Sequence, residues 1–346
     1  MKLVMTLLVR DEVDIVEAQI AFHLDAGVDF VVATDNRSED GTTEVLERYE
    51  REGHLHLIRE PGNDLRQTEW VTRMARLAAT DFGADWVLNT DADEFWWPRG
   101  ADLKGVLSAV PRHFGVVRGA WRNFVPRPEG PPFFAERMTA RLCTPSFHPH
   151  PLSTHSKSAH RAVRDVRVGR GNHEAFGPGL VPLRGWYPFE ILHFPVRSLE
   201  HCMRKYVTQF VALERNAEKG IPGHMQEAYV AFKTGALEDF YTPLVVDDDD
   251  LESGLESGSL GVDTRLRDAL RALGFGTCGQ DSAGGGFDRP GVIESAAYAA
   301  EYSALQESDH GLALGSRVDV LERRLAVLER RPLAGIRSAV LGRSKR

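Results

Sequence analysis

The amino-acid sequence predicts an α/β fold with a mixed, mostly parallel sheet that is flanked by helices on both faces. Within the first hundred residues, four stretches of strand length alternate with three stretches of helical periodicity. Parallel strands need crossover connections of this kind, whereas antiparallel strands can be joined by short hairpins. Several of these stretches also end in glycine, proline, aspartate or asparagine, which favour turns.

The predicted elements follow one another in a regular order. The strands are short apolar or alternating runs: Leu3–Val9, Phe30–Ala33, His54–Ile58 and Trp86–Leu88. The helices carry apolar residues three or four positions apart: Asp14–Ala26, Glu39–Glu50 and Leu65–Phe82. Further along the chain, Ser198–Glu218 and residues 262–273 are each expected to form another helix.

Composition and charge narrow the class of protein. Of the 346 residues, 42% are hydrophobic and 27% are charged, which is typical of a globular protein in water. The formal net charge is −8, so we expect no nucleic-acid partner, because such proteins usually carry a basic face. The three cysteines fit no disulfide framework and no Cys-x-x-Cys motif, which favours a reducing, cytoplasmic compartment. No apolar run reaches the length of about 18 residues that a membrane-spanning helix requires.

The charge is unevenly distributed along the chain. Residues 317–346 hold nine lysines and arginines against three acids, which leaves a formal charge of −14 on the rest. We expect a compact domain over residues 1–245, an acidic and glycine-rich linker over 246–290, and a helical or disordered basic extension over 291–346. This C-terminal tail would be a solvated end, an oligomer contact, or a peripheral contact with anionic lipid at the inner face of the membrane.

Charged and carboxamide side chains follow three of the four predicted strands. They are Arg10, Asp11 and Glu12, then Asp35 and Asn36, then Asp91 and Asp93. The carboxyl ends of parallel strands meet at one edge of a sheet, and ligands bind at that edge. Polar residues are common in loops for other reasons. Their presence at three strand ends nevertheless favours a binding site there.

Asp91 and Asp93 are the strongest candidates for chemistry in this set. Side chains two residues apart on an extended strand point the same way, so both carboxylates could face one hard cation. Carboxylate oxygens suit Mg²⁺ and Mn²⁺, whose shells are commonly completed by substrate phosphates. The chain has no Gly-x-Gly-x-x-Gly after its first strand and no P-loop, so phosphates would be held by the metal and by arginines.

Three segments, 8–12, 35–42 and 89–95, together resemble a glycosyltransferase family 2 domain. They read LVRDE, DNRSEDGT and NTDADEF, and the third is similar to the branch of the family that carries a DADEF segment. The resemblance covers residues 1–215 and implies a GT-A-type, Rossmann-like fold. It also implies inverting transfer of a sugar from a UDP-, GDP- or TDP-sugar to a hydroxyl of a glycan or lipid-linked acceptor in cell-surface glycan synthesis. The nucleotide-sugar half would span residues 1–100 and the acceptor half 101–245.

The resemblance further implies roles for particular residues. Asp91 and Asp93 would hold Mn²⁺ or Mg²⁺ on the diphosphate, with His173 or His193 completing the metal shell. For His193, a buried and hydrogen-bonded structural role is the alternative. The implied nucleotide-sugar contacts are Arg10, Glu12, Asp35, Arg66, Arg73, Asp91, Lys157 and Arg161.

An inverting displacement also needs one carboxylate to accept the proton of the acceptor hydroxyl. Glu174, in the turn Gly-Asn-His-Glu, is the first candidate, and Glu190 and Glu94 are the alternatives. Arg66 and Arg73 would equally fit an exposed helix face, since nothing in their spacing separates the two interpretations.

Two other functions compete with glycosyl transfer. A sugar-nucleotide nucleotidyltransferase would also hold a nucleotide and a metal, but no glycine-rich basic loop follows the first strand. A non-catalytic glycan-binding protein on a decayed transferase fold is the third interpretation. It has little need for the paired acids Asp91 and Asp93.

Overall fold

The computed structural model describes residues 1–62, 66–100, 102–128, 130, 133–143, 156–215 and 225–276. The strands within them are β1 (Leu3–Val9), β2 (Phe30–Asp35), β3 (Leu55–Arg59), β4 (Trp86–Asp91), β5 (Glu94–Pro98), β6 (Val116–Asn123), β7 (Ala140–Leu142), β8 (Ser156–Arg161), β9 (Arg167–Val168), β10 (Ala175–Phe176), β11 (Phe189–His193) and β12 (Leu260–Val262). The α-helices are α1 (Val16–Asp25), α2 (Thr42–Arg51), α3 (Gln67–Thr80), α4 (Leu103–Ala109), α5 (Phe134–Arg137), α6 (Leu199–Arg215), α7 (Gln226–Thr234), α8 (Leu237–Tyr241), α9 (Asp248–Ser257) and α10 (Arg265–Ala272).

Eight of these strands form one mixed sheet in the order β3-β2-β1-β4-β8-β6-β11-β5. The first four strands are parallel, and β11 is parallel to β6. β8 runs antiparallel to both of its neighbours, and β5 runs antiparallel to β11. Six of the eight strands therefore point the same way, which confirms the predicted mostly parallel sheet.

Alternating side chains place one apolar cluster on each face of the sheet. Leu3 and Leu88 belong to the larger cluster, which α1 covers with Val16 and Ile20. On the opposite face, Val4, Val32 and Val87 belong to a second cluster, which α3 covers with Val71 and Met74. Helices thus flank both faces, as the alternation of strands and helices predicts.

The strand register brings the predicted polar strand ends together. Leu8 of β1 is paired with Asp91 of β4, and Val9 of β1 with Asp35 of β2. Both acids are the last residues of strands that run longer than predicted, because the hydrogen-bonded ladder continues beyond the apolar run. The carboxyl ends of three parallel strands therefore meet at one edge, which we call the acid edge.

The fold continues beyond the predicted boundary near residue 245. β12 pairs with β7, and α10 places Leu266 and Leu270 in the larger core cluster, where they are 1% and 0% exposed. Residues 248–272, which lie within the predicted linker, thus form α9, β12 and α10 and bury Leu260, Leu266 and Leu270. Beyond residue 276, the predicted linker and basic tail lie outside the described residues.

The helices predicted from periodicity are present, with shifted ends. Within the predicted helix Ser198–Glu218 the structure has α6 (Leu199–Arg215), and the last three predicted residues lie outside the described residues. Residues 262–273 contain α10. The predicted helix Leu65–Phe82 is observed as α3, although Leu65 itself lies outside the described residues. Among the helices of the described residues, none combines the length and the apolar composition needed to cross a membrane.

Candidate active site

A tight turn between β4 and β5 places three acids within four residues. β4 ends at Asp91, the chain turns through Ala92 and Asp93, and β5 begins at Glu94. The Asp91 amide donates to Oε2 of Glu94 at 3.1 Å and helps to fix the turn. Because β5 pairs with β11, Glu94 lies directly beside His193. Asp93, Glu94 and His193 are all buried, and each offers a ligand atom within 4.8 Å of the others.

The His193 ring is oriented for metal binding. Its Nδ1 lies 2.7 Å from Oδ1 of Asn123, so the imidazole donates there and its lone pair is on Nε2. That Nε2 lies 3.8 Å from Oδ2 of Asp93. The ring stacks on Trp121 with centroids 4.1 Å apart, which holds its plane. Two carboxylates and a neutral imidazole are a donor set that fits Mn²⁺ or Mg²⁺.

The pKa values of Asp93 and Glu94 are shifted in opposite directions. Burial alone would raise the pKa of Asp93, but the ammonium group of Lys205 outweighs it and holds this pKa well below its usual range. Burial raises the pKa of Glu94 to about 8, and the neighbouring Asp91 and Asp93 raise it further against the opposing effect of a lysine. The two neighbouring carboxylates of the cluster therefore have pKa values shifted in opposite directions.

Lys157, one of the predicted nucleotide-sugar contacts, lies at the acid edge. Its buried ammonium group lies 2.5 Å from Oδ2 of Asp91 and 2.9 Å from Oε1 of Glu94. The same Glu94 oxygen accepts a hydrogen bond from Trp121 Nε1 at 3.0 Å. Lys157 thus neutralises part of the acid cluster and fixes both side chains.

A cavity of about 200 Å³ opens at the acid edge. Residues after β1 and in the β4–β5 turn form one wall, including Arg10, Asp91 and Asp93. One face of α6 forms the other wall with residues at helical intervals: His201, Arg204, Lys205, Thr208, Gln209 and Ala212. We call this space the acid-edge cavity. α6 therefore lies across the strand ends, while its other face packs on a separate apolar cluster.

A buried ion-pair network fixes the start of α6. Arg197 is 1% exposed and donates to both carboxylate oxygens of Asp14, at 2.7 and 2.8 Å, and to Oε2 of Glu12. Burial would raise the pKa of Asp14, but Arg197 outweighs it and lowers this pKa to about 2. Glu12 is thus held by Arg197 and lies 3.6 Å from His201, so it lines the cavity as an anchored carboxylate.

Buried nitrogen atoms without partners surround the acid-edge cavity. Within the described residues, Nε of Arg10, Nε of Arg204 and both ring nitrogens of His201 are buried and make no hydrogen bond. Unpaired buried donors are costly, and native structures contain few of them. All three side chains nevertheless have a carboxylate within 4 Å, namely Asp11, Asp40 and Glu12 respectively.

The Asp35 carboxylate accepts hydrogen bonds within its own loop. Its Oδ1 accepts hydrogen bonds from the amide and hydroxyl of Ser38 at 3.1 and 2.6 Å, and its Oδ2 accepts one from Thr43 at 2.5 Å. The next residue, Asn36, lines the acid-edge cavity instead. Asp35 therefore shapes the loop that presents Asn36.

The structure does not bring Arg161 or Glu190 to the acid edge. β8 runs antiparallel to β4, so Arg161 pairs with Trp86 at the opposite edge and donates to the carbonyls of Phe114 and Val110. This position contradicts the predicted nucleotide-sugar contact. Glu190 is buried among three arginines, Arg122 at 2.6 Å, Arg265 at 2.7 Å and Arg99 at 3.4 Å. These arginines outweigh the effect of burial and hold the pKa of Glu190 well below its usual range, which contradicts its prediction as a base.

The turn after β9 brings two predicted residues near the acid edge. Asn172 in this turn donates to Oδ1 of Asp91 at 3.2 Å. His173 places Nδ1 2.6 Å from the carbonyl of Ser156, so its ring is held beside β8, away from the Asp93 cluster that His193 joins. Glu174 lies 3.4 Å from the guanidinium of Arg118, and its side chain is 18% exposed.

Arg66 and Arg73 line a different cavity from the one at the acid edge. They lie on the outer side of α3 and form ion pairs with Glu69 at 2.5 Å and Glu60 at 2.5 Å. The two arginines lie on an accessible face and are ion-paired, as expected for an exposed helix face. They also line a cavity, although not the one at the acid edge.

Sequence reasoning missed Lys205, Arg204 and His201 of α6. Their signal is a polar stripe at intervals of three and four residues on a helix whose apolar stripe was identified. Such a stripe also describes any solvated helix face, and only the position of α6 across the acid edge gives it a functional meaning.

No protein-family model matches the chain, and no curated protein matches it. Among solved structures, TarS of S. aureus in complex with UDP-GlcNAc is 12% identical, with 60% of this chain and 66% of that chain covered, at a TM-score of 0.33. Glucosyl-3-phosphoglycerate synthase from Mycobacterium tuberculosis, in complex with Mn²⁺, uridine diphosphate and glucosyl-3-phosphoglycerate, is 19% identical, with 37% and 44% covered, at a TM-score of 0.24. The chain spans less than two thirds of the length of each structure. Likeness at this level does not identify a substrate, so function rests on the chain's own residues.

Proposed function

We propose that this chain is a nucleotide-sugar glycosyltransferase of the family 2 type, with a divalent metal ion at the acid edge. One observation carries the proposal. A buried carboxylate–imidazole cluster lies next to a cavity whose walls carry the basic side chains of Arg10, Arg204 and Lys205, at the carboxyl ends of parallel strands. The cluster suits a divalent cation, and the basic groups suit the diphosphate that such a cation binds.

Asp93, Glu94 and His193 would hold Mn²⁺ or Mg²⁺, with Asp91 beside them. A bound ion would supply Lewis-acid stabilisation of the negative charge that develops on the leaving diphosphate. Asp91 is held at one oxygen by Lys157 and at the other by Asn172, so its carboxylate is oriented before ligand binds.

Basic residues on both walls of the cavity would bind the diphosphate. Lys205 and Arg204 approach from α6, and Arg10 approaches from the end of β1. The cavity volume of about 200 Å³ is below the roughly 300–1,000 Å³ of sites that enclose a whole small molecule. We therefore place the diphosphate and the reacting sugar in it, with the nucleoside extending towards the β2 end and the loop of Asp35 and Asn36.

Glu174 is the proposed proton acceptor for an inverting displacement. It is accessible, and the turn that carries it contacts Asp91 through Asn172. Its ion pair with Arg118 orients the carboxylate beside that turn. The acceptor oxygen would bond to the anomeric carbon and lose its proton to Glu174 as the sugar–phosphate bond breaks and the diphosphate leaves.

The test is a donor panel with product analysis. The protein is incubated with Mn²⁺ and UDP-, GDP- and TDP-sugars, and release of nucleoside diphosphate is measured for the native chain and for Asp93→Ala. Glycosyl transfer predicts release that Asp93→Ala abolishes. Pyrophosphate release from a nucleoside triphosphate and a sugar phosphate would instead identify a nucleotidyltransferase. Glycan binding without turnover or metal dependence would identify a binding protein.

A further inference from the structure

A second cavity, of about 830 Å³, runs along the outer side of α3. We call it the arginine groove after the side chains of Arg66, Arg73, Arg76, Arg167 and Arg170 that line it. Its volume lies in the range of about 300–1,000 Å³ that is usual for ligand sites. Arg66 lies just before α3 and Arg76 lies ten residues further along it. At 1.5 Å per residue, the basic wall therefore extends for about 15 Å.

The charge of the groove is opposite to that of the surrounding protein. Among the described residues that line it, five are arginines and one, Glu69, is a carboxylate. Outside the basic tail, the chain has a formal charge of −14. Arg167 and Arg170 are exposed and form no salt bridge within the described residues, so their charge is available to a ligand. Because Arg66 and Arg73 are ion-paired with Glu69 and Glu60, the excess positive charge comes from Arg76, Arg167 and Arg170. A cavity with an excess of one sign of charge concentrates ligands of the other sign.

Two helices connect the groove to the acid-edge cavity. On α3, Glu69 lines the groove and the next residue, Trp70, lines the acid-edge cavity. On α6, Leu213 lines the groove and the preceding residue, Ala212, lines the acid-edge cavity. The two spaces therefore lie side by side along the same pair of helices.

The turn after β9 makes the same connection independently. Arg170 lines the groove, and two residues later Asn172 donates to the Asp91 carboxylate at 3.2 Å. A chain bound along the arginines would thus reach the acid cluster at one end.

We propose that the arginine groove binds an anionic acceptor glycan, with phosphodiester or carboxylate groups along its chain, and directs one hydroxyl into the acid-edge cavity. The role of that hydroxyl rests on the proposed function, whereas anion binding by the groove does not. A wall of about 15 Å is longer than one sugar, which fits a chain with repeated charges. Polar side chains next to Arg66 would contact its hydroxyls: Gln67 and Thr68.

The test compares two charge-matched double variants of the full chain. Arg167→Gln with Arg170→Gln removes two exposed arginines from the groove. Arg51→Gln with Arg112→Gln removes two exposed arginines that line neither cavity. Fluorescence anisotropy measures the binding of labelled polygalacturonate, polyphosphate and neutral dextran at low ionic strength. Binding of a nucleoside diphosphate with Mn²⁺ is measured on the same samples.

We expect the native chain to bind one or both anionic polymers and not dextran, and the stronger polymer identifies carboxylate or phosphate as the recognised group. The groove variant should weaken this binding about five- to tenfold, the size expected for two exposed charge pairs, and the control less than twofold. Equal weakening by both variants, or no polymer binding by the native chain, would overturn the proposal. Weaker nucleoside diphosphate binding by the groove variant would also overturn it, by assigning the groove to the donor. Absence of nucleoside diphosphate binding in the native chain, with polymer binding still lost in the groove variant, supports the groove and contradicts only the proposed function.

Discussion

Lys205 and Asp93 are 112 residues apart in sequence, yet Nζ of Lys205 lies 2.7 Å from Oδ2 of Asp93. The ammonium group also donates to the carbonyl of Pro195 at 3.1 Å. It therefore stands between the acid cluster and the acid-edge cavity, where it can neutralise Asp93 and also face a bound diphosphate. The position of α6 across the strand ends creates this arrangement.

Lys205→Met should weaken the binding of a nucleoside diphosphate in the presence of Mn²⁺ by about tenfold. Methionine keeps most of the apolar stem but removes the cation, and a charge-assisted hydrogen bond contributes about 1.5–3 kcal/mol. Titration calorimetry measures the change. Lys233→Met, which removes an exposed lysine paired with Glu214 on the surface, is the control and should bind as the native chain does. Unchanged affinity in Lys205→Met would exclude this lysine from the donor site.

Glu174→Gln should lower sugar transfer by about 10²–10⁴-fold, the usual contribution of a general base, without loss of donor binding. The amide keeps the shape of the side chain but cannot accept the proton. Steady-state rates and calorimetric donor affinity together separate the two effects. Glu227→Gln, an exposed substitution on α7, is the control. Transfer at the native rate in Glu174→Gln would assign the proton to another acceptor.

Glu190→Gln should destabilise the fold and leave the chemistry intact. Three buried or partly buried arginines surround this carboxylate, and removal of one partner from a buried ion pair costs about 3–5 kcal/mol. Denaturant unfolding would show the loss in the free energy of unfolding, and turnover per folded molecule should match the native chain. A loss of turnover at native stability would instead return Glu190 to the active site.

The stability of the fold should decrease between pH 6.5 and pH 4 because of two buried histidines. Nδ1 of His23 lies 2.8 Å from the Gln19 carbonyl, and its Nε2 accepts from the Trp96 amide at 3.1 Å. Burial lowers the pKa of His23 to about 4, and it lowers the pKa of His160 to about 4 as well. In this interval the unfolded chain binds more protons than the folded one, so acid favours unfolding by about 3 kcal/mol for each histidine.

Unfolding free energies measured at several pH values check this dependence. His23→Gln, whose side chain can still donate and accept, should make the loss of stability between pH 6.5 and pH 4 about 3 kcal/mol smaller. The exposed His113→Gln should leave it unchanged. An identical slope in all three proteins would show that His23 titrates normally in the fold.

Local patterns in the sequence were sufficient to predict the core of the sheet. β1 has the predicted bounds Leu3–Val9, because a continuous apolar run between polar residues marks a strand buried on both faces. The acid edge was also predictable, since strands joined by crossover helices must be parallel and their carboxyl ends must meet. Asp91 and Asp35 lie at that edge for this reason.

The direction of one strand explains why Lys157 lies at the acid edge and Arg161 does not. They are four residues apart, and the resemblance implies the same role for both. β8 runs antiparallel to β4, so its first residues lie at the acid edge and its last residue lies at the other end. Strand direction depends on the complete topology, which the residues around Lys157 do not specify.

Contacts between distant segments account for the remaining differences. The three arginines around Glu190 come from β6, α10 and the end of β5, and no local spacing relates them. Residues 248–272 have a polar, acidic start that is typical of a linker, although Leu266 and Leu270 further along complete the core. The cations of α6 were missed for the same reason, because their meaning depends on where the helix lies.

The central claim is that Asp93 and its neighbours hold a divalent ion that binds the donor diphosphate. Titration calorimetry of a nucleoside diphosphate into the native chain and into Asp93→Asn, each with Mn²⁺ and with a chelator, tests it most directly. We predict that Mn²⁺ strengthens binding to the native chain at least tenfold and has no effect on Asp93→Asn. Equal affinity of the native chain with Mn²⁺ and with the chelator, or equal strengthening by Mn²⁺ in both proteins, would contradict the claim.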